Sequence, residues 1–140
     1  YTGVSRDSSK IIKEQSNNMK LGDSSSLQAM NEIKNEAVIM KDALLKGDFS
    51  TIVQSMQLGW KNKKKSAKTV SNAKIDEIYD AAIDSGALAG KISGAGGGGF
   101  MLFFVPAEHR MDVIRTLNNY DGETSNCHFT KKGSEAWKMI

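Results

Sequence analysis

Apolar residues in the first 85 positions recur at steps of three and four, which is the spacing of one buried face of an α-helix. Four such segments follow one another, and polar or charged residues fill the positions between the apolar ones. We therefore predict four helices in this part of the chain. Their apolar positions are Ile11 and Ile12; Met30, Ile33, Ala37, Met40 and Leu44; Phe49, Ile52, Met56 and Trp60; and Ile75, Ile78, Tyr79 and Ala82.

Capping residues mark where these helices begin and end. Ser25 opens a capping-box pattern ahead of the second helix, Asp48 is placed to cap the third, and Asn72 the fourth. Gly47 and Gly86 follow the second and fourth helices, where a glycine commonly ends a helix. Because so short a turn separates the second helix from the third, we expect them to pack as an antiparallel pair.

Beyond the fourth helix the pattern changes from helical to extended. Residues 88–93 predict a short strand, and the continuous apolar run 100–105 predicts a second one that is buried on both faces or nearly so. Pro106 suits the first turn of a fifth helix, after which a turn at 120–122 leads into a strand that ends at 127–129. The sequence thus predicts an α+β domain in which helices cover a small, mainly antiparallel sheet.

Composition and charge are typical of one soluble domain. The 140 residues, 39% hydrophobic and 25% charged, suffice for one core and are too few for two. No apolar run approaches the roughly 20 residues that cross a bilayer, and no signal-type segment opens the chain, so we expect no membrane and no export. The net charge of +3 is too small to indicate nucleic acid. The single cysteine, Cys127, excludes an internal disulfide, and we expect a buried structural thiol.

The most informative feature is a cluster of glycines, since seven of the 13 lie between Gly86 and Gly99 and the last four are consecutive. The cluster formally fits G-x-G-x-x-G, but a strand rather than a helix follows it, which argues against a dinucleotide site. The simplest interpretation is a wide hairpin with positive φ angles. Because consecutive glycines cost entropy on folding, close approach by another backbone or by a phosphate explains them better. The bare N–H groups would either bind an anion or brace a neighbouring phosphate loop.

The residues around this cluster resemble the third signature motif of the GHMP kinases, the family of galactokinase, homoserine kinase and mevalonate kinase. The matching segment is Gly90-Lys91-Ile92-Ser93-Gly94-Ala95-Gly96-Gly97-Gly98-Gly99-Phe100. The resemblance extends to Tyr1-Thr2-Gly3 with Arg6, Trp60 with Lys61 and Lys64, Ile75-Asp76-Glu77-Ile78-Tyr79, and His128-Phe129-Thr130 with Gly133. In these details the chain is most similar to the bacterial heptose 7-phosphate kinases of that family.

This resemblance implies phosphoryl transfer from ATP, with Mg²⁺, to a hydroxyl of a sugar phosphate. A cytoplasmic location is consistent with the single cysteine, which is typical of a reducing compartment. The resemblance further implies that residues 1–140 form the C-terminal, ferredoxin-like domain, and that the phosphate loop, the metal ligand and the base belong to an absent N-terminal domain. Since phosphoryl transfer depends on those groups, we expect no catalytic or metal-ligating residue here and no turnover by this polypeptide alone. The face left by the absent domain could also mediate self-association.

The resemblance also assigns site residues. It places Lys91, Ser93, Gly94, Ala95, Gly96, Gly97, Gly98 and Gly99 in a loop that lies against the N-terminal phosphate loop and shapes the nucleotide site. Arg6 and Lys64 are candidate contacts to a substrate phosphate, although exposed cations at such positions are commonly just solvated. Neither His109 nor His128 has the spacing of a zinc site.

Three alternatives stay open. The chain could be a stand-alone binding domain without catalysis, and an exposed apolar patch beside the glycines would fit that as well as a kinase half. It could belong to a galactokinase-like or mevalonate kinase-like member with another small substrate. A nucleic-acid binder would require the lysines between positions 61 and 68 to face the same way as the glycine loop.

Overall fold

The structure is a computed structural model that describes residues 1–4 and 7–137. Five α-helices, two short 3₁₀ helices and a two-stranded antiparallel sheet make up the described part of the chain. The α-helices are α1 (Ser8–Lys20), α2 (Ser24–Lys46), α3 (Phe49–Ser66), α4 (Ala73–Asp84) and α5 (Arg110–Leu117). The strands are β1 (Ala89–Ile92) and β2 (Met101–Phe104), and the 3₁₀ helices are Lys68–Val70 and Ala107–His109. The predicted α+β class is confirmed.

The helix caps follow the sequence prediction with one exception. Asp48 and Asn72 each accept a hydrogen bond from the backbone N–H three residues further on, at 3.1 Å. The second helix begins at Ser24, and its cap is Asp23, which accepts from the N–H of Ser26 at 2.8 Å. The capping-box prediction for Ser25 is therefore wrong, because the helix starts earlier and Ser25 lies inside its first turn.

The core lies between α3, α4 and the helix-facing side of the sheet. Trp60 of α3 is 2% exposed, so the prediction that it is a core residue is confirmed. The stripe of α2 is less buried than predicted, and Leu44 is 49% exposed, because α2 packs along α3 at the periphery of the domain. The main cluster consists of Ile11, Trp60, Ala67, Val70, Ile75 and Ile92, with Tyr79, Ala95 and Met101 packed against it. A second cluster beneath α5 consists of Ala82, Ala87 and Val113.

The hairpin is covered by helices on one face. Ile92 pairs with Met101, and both belong to the main cluster, whereas Leu102 of the opposite face is 45% exposed. The prediction that 100–105 is buried on both faces is therefore wrong, because the described elements leave Phe100 and Leu102 of the second face exposed, although the ring of Phe49 lies 6.0 Å from that of Phe104 at its other end. The predicted strand at 127–129 is also absent from the described residues, and Cys127 is exposed rather than buried.

Within the described ranges, none of the helices has both the length and the apolar character that crossing a bilayer would require.

Candidate functional site

The glycine loop, residues 93–100, joins β1 to β2. The N–H of Ser93 donates to the carbonyl of Phe100 at 2.8 Å and closes the base of the loop. Five glycines of the loop have positive φ: Gly94, Gly96, Gly97, Gly98 and Gly99. A strand, not a helix, follows the loop, so the predicted hairpin is confirmed and the dinucleotide interpretation lacks the helix on which it depends.

The middle of the loop is buried against the backbone of its own chain. The N–H of Gly97 donates to the carbonyl of Val70, and that of Gly99 to the carbonyl of Val4, both at 2.8 Å. A Cβ added to Gly96 would lie 2.6 Å from the Val70 carbonyl oxygen, and one added to Gly98 would lie 2.6 Å from that of Val4. Close approach by another backbone is thus the steric reason for these two glycines. The middle of the loop is thus packed on one side against its own chain, and its contact with an absent domain stays a prediction.

The open end of the loop, Gly94 and the peptide that joins it to Ala95, has different surroundings, although the Ala95 side chain itself packs against the main cluster. Gly94 is exposed, and a Cβ added to it would meet none of the described atoms within 4 Å. In the described part of the chain, the N–H groups of Gly94, Ala95 and Gly96 have no hydrogen-bond acceptor. Two amines lie here, since the Nζ of Lys63 donates to the Gly94 carbonyl and Lys91 is exposed at the end of β1. Burial, together with the charge of Lys91, lowers the pKa of Lys63.

An exposed apolar patch continues from the loop along β2. Phe100 is 62% exposed and lies against Tyr1, with ring centroids 5.5 Å apart. Leu102 follows on the same face of the strand, and a shallow cleft of about 300 Å³ opens between Phe100 and the 123–125 segment. An exposed apolar patch is therefore present beside the glycines, and such a patch fits both a kinase half and a binding domain.

The lysine-rich part of α3 divides between two surfaces. Lys63 faces the glycine loop, whereas Lys64 forms an ion pair with Asp76 at 3.2 Å and lies over the rings of Trp60 and Tyr79. Lys61 and Lys64 line an open groove of about 560 Å³ between α3 and α4. The run therefore does not form the single loop-facing surface that nucleic-acid binding required. The other proposed phosphate contact, Arg6, lies outside the described residues.

Lys63 is the functional candidate that the sequence reasoning missed. The predicted substrate contact is its neighbour Lys64, and on a helix the two side chains point about 100° apart. Once Trp60 is assigned to the core, three and four residues before these lysines, the pair must flank the buried face of α3. The spacing from Trp60 therefore limits the candidates for a loop contact to Lys63 and Lys64, but it does not show which of the two reaches the glycine loop.

The described residues supply no evident metal centre. Across 1–4 and 7–137, no three His, Cys, Asp or Glu side chains converge closely enough to hold a metal ion. Asp76 is already engaged by Lys64 and by the hydroxyl of Ser71. The chemistry available at the loop is therefore that of hydrogen-bond donors and cations, which suits a phosphate group.

Comparison with known proteins identifies the class. The family model described as "GHMP kinases C terminal" matches residues 40–121, which is more than half of the chain. The chain therefore belongs to the GHMP kinase family.

Particular relatives agree with this assignment. The chain is 41% identical, over 99% of its length, to D-glycero-alpha-D-manno-heptose 7-phosphate kinase of Campylobacter jejuni, and it spans 40% of that relative's length. It is 30% identical over 72% of its length to the L-fucokinase/L-fucose-1-P guanylyltransferase of Bacteroides fragilis, of which it spans 10%.

Solved structures support the fold. A crystal structure titled as a putative sugar kinase from Campylobacter jejuni matches 76% of this chain, and 33% of its own, at 44% identity and a TM-score of 0.59. The mevalonate kinase of L. major, solved with R-mevalonate, matches 84% of this chain and 36% of its own at a TM-score of 0.74. The latter is 20% identical, so it supports the fold alone.

Proposed function

We propose that residues 1–140 are the C-terminal domain of an ATP-dependent kinase that phosphorylates a hydroxyl of a sugar phosphate, with a heptose 7-phosphate as the first candidate. The substrate class is taken from the relative that is 41% identical along almost the whole chain. We also propose that this kinase acts in the cytoplasm, since ATP is its proposed phosphoryl donor. Because the chain spans 40% of that relative, we further propose that an N-terminal domain supplies the remaining parts of the active site.

The open end of the glycine loop carries this proposal. Backbone N–H groups without an acceptor in the described structure lie beside the amines of Lys63 and Lys91, and such a set of donors and cations suits the phosphates of a nucleotide. The other predicted loop residues, Ser93 and Gly96 to Gly99, give the open end its shape. Arg6 and Lys64 stay proposals as substrate contacts, and Lys64 would first have to leave Asp76.

No Mg²⁺ ligand is assigned among the described residues. Mg²⁺ is usually bound through carboxylates and substrate phosphates, and the described residues bring no three carboxylate or imidazole groups together. We therefore propose that its protein ligands, like the phosphate loop and the base, belong to the N-terminal domain. In this proposal the described residues contribute donors that position the nucleotide and leave metal binding to the N-terminal domain.

The exposed apolar patch at Tyr1, Phe100 and Leu102 is the proposed contact surface for that domain. It begins where the glycine loop ends, so a domain seated on the patch would also reach the open end of the loop. A second copy of this chain is the alternative partner for the same surface. Sedimentation of the chain with and without the remaining part of the kinase distinguishes the two.

A chimera tests the proposed function. The matching region of the Campylobacter relative is replaced by this chain, and ATP-dependent phosphorylation of heptose 7-phosphate is measured, with L-fucose and mevalonate as alternative acceptors. We expect activity with the heptose phosphate and none from the 140-residue chain alone. A folded chimera that phosphorylates none of the three acceptors would contradict the kinase proposal, and one that prefers another acceptor would correct the substrate.

A further inference from the structure

Lys63 connects the third helix to the open end of the glycine loop. Its Nζ donates to the carbonyl oxygen of Gly94, and the side chain is half-buried. Helix α3 runs alongside β1, as shown by a second bond of the same kind, in which the Nε2 of Gln57 donates to the Leu88 carbonyl at 2.6 Å. The helix thus contacts backbone carbonyls just before β1 begins and just after it ends.

The carbonyl that Lys63 contacts belongs to the same peptide unit as the N–H of Ala95. In a planar trans peptide the C=O and N–H bonds point in opposite directions, so a donor on the carbonyl fixes where the N–H points. A cationic donor also polarises the peptide and strengthens its N–H as a donor. The Ala95 side chain packs against the main cluster, whereas its N–H has no acceptor among residues 1–4 and 7–137, so the hydrogen bond of that group is left for a ligand to make.

Lys63 is the only described cation whose amine contacts the loop backbone directly. Lys91 lies close enough for its charge to act on Lys63, but its amine has no hydrogen bond within the described ranges. Without a donor on the Gly94 carbonyl, this peptide would be held less firmly on its Gly94 side, because Gly94 has no side chain to restrict its backbone angles.

We propose that Lys63 is a positioning residue: it fixes the Gly94–Ala95 peptide by binding its carbonyl, and so directs the Ala95 N–H toward a phosphate-bearing ligand. The identity of this ligand as a phosphate-bearing molecule depends on the proposed function. The positioning itself is a property of this chain alone and can be measured without any ligand.

Selective isotope labelling isolates this peptide. With ¹³C-carbonyl glycine and ¹⁵N-alanine, only Gly-Ala pairs give a carbonyl–nitrogen correlation, and the sequence has two, Gly86-Ala87 and Gly94-Ala95. Carbon-detected spectra of the 140-residue chain are recorded from neutral pH upward. We expect the Gly94–Ala95 signal to shift with a midpoint below the ordinary lysine value of about 10.4, because burial and Lys91 lower the pKa of Lys63. The Gly86–Ala87 signal serves as the internal reference.

Three variants assign the shift. In Lys63→Met the step should disappear, and in Lys63→Arg the signal should stay near its neutral-pH position throughout, because arginine remains charged. Lys65→Met, which removes an exposed lysine of the same helix, should leave the step intact. Thermal unfolding of each variant confirms that it folds.

Two results would overturn the proposal: no step at Gly94–Ala95 in the unmodified chain, or a step that persists in Lys63→Met. The spectra are recorded without nucleotide, so an inactive chimera would contradict the proposed kinase function without affecting the Lys63 result. Failure of the proposed function and failure of the positioning role can therefore be distinguished.

Discussion

The middle and the open end of the glycine loop have almost the same sequence and opposite surroundings. Gly96 and Gly98 lie against the carbonyls of Val70 and Val4, where a single added carbon would clash. Gly94, two positions before Gly96, has open space around it and a carbonyl held by a lysine. One run of glycines therefore serves two purposes, since its middle lets backbones of the same chain pack closely and its open end keeps peptide groups accessible.

The largest expected difference between the two parts is in stability. Gly96→Ala should lower the free energy of unfolding by about 3 kcal/mol, because the added Cβ would lie 2.6 Å from the Val70 oxygen and the residue has positive φ. Gly94→Ala should cost about 1 kcal/mol, the backbone penalty alone. Urea denaturation of both variants measures the difference, and equal losses would mean that the contact with Val70 does not restrict the loop.

A smaller effect is expected at the support behind the middle of the loop. Val70 ends the 3₁₀ helix Lys68–Val70, and the carboxylate of Glu14 accepts hydrogen bonds from the N–H groups of Lys68 at 2.9 Å and Thr69 at 3.3 Å. Glu14→Gln removes the charge and should destabilise the chain by about 1 kcal/mol at neutral pH, as loss of a helix cap does. Urea denaturation checks this value.

The pH dependence of that effect has a definite sign. The bond from the Thr69 hydroxyl, and then the backbone bonds, lower the pKa of Glu14 in the folded chain. The stabilisation is therefore complete above the ordinary glutamate value of about 4.3 and is lost as pH falls through the lowered folded pKa. The Glu14→Gln and unmodified chains should converge in stability in acid. If the difference in unfolding free energy between the two chains stayed constant down to acidic pH, the charge of the Glu14 carboxylate would not be the source of the stabilisation.

Much of the fold could be predicted from local pattern. Asp48 and Asn72 cap their helices as expected, because a cap depends on residues within three positions of itself. The predicted strand at 127–129 fails for the opposite reason, since a strand needs a neighbouring edge and the sequence of the segment does not contain one. Cys127 is exposed as a result.

The site was predictable in part. Positive φ and close backbone approach follow from the run of glycines itself, and both are present. That Val4 and Val70 provide the close approach could not be inferred, because they lie far from the loop in sequence. Whether Lys63 or Lys64 reaches the loop depends on the rotation of α3 about its own axis relative to β1. The burial of Trp60 fixes that rotation too coarsely to distinguish two adjacent residues.

The most direct test of the proposed role for the open end compares two glycines in the active chimera. Gly22 and Gly94 both have positive φ, and an added Cβ would meet nothing described within 4 Å at either site, so alanine should cost each about the same stability, about 1 kcal/mol. The quantity to measure is kcat/KM for ATP. We expect Gly94→Ala to lower it by about tenfold or more, the equivalent of one lost charge-assisted hydrogen bond, and Gly22→Ala to leave it unchanged. Equal values for the two variants would contradict a role for the loop's open end in the nucleotide site.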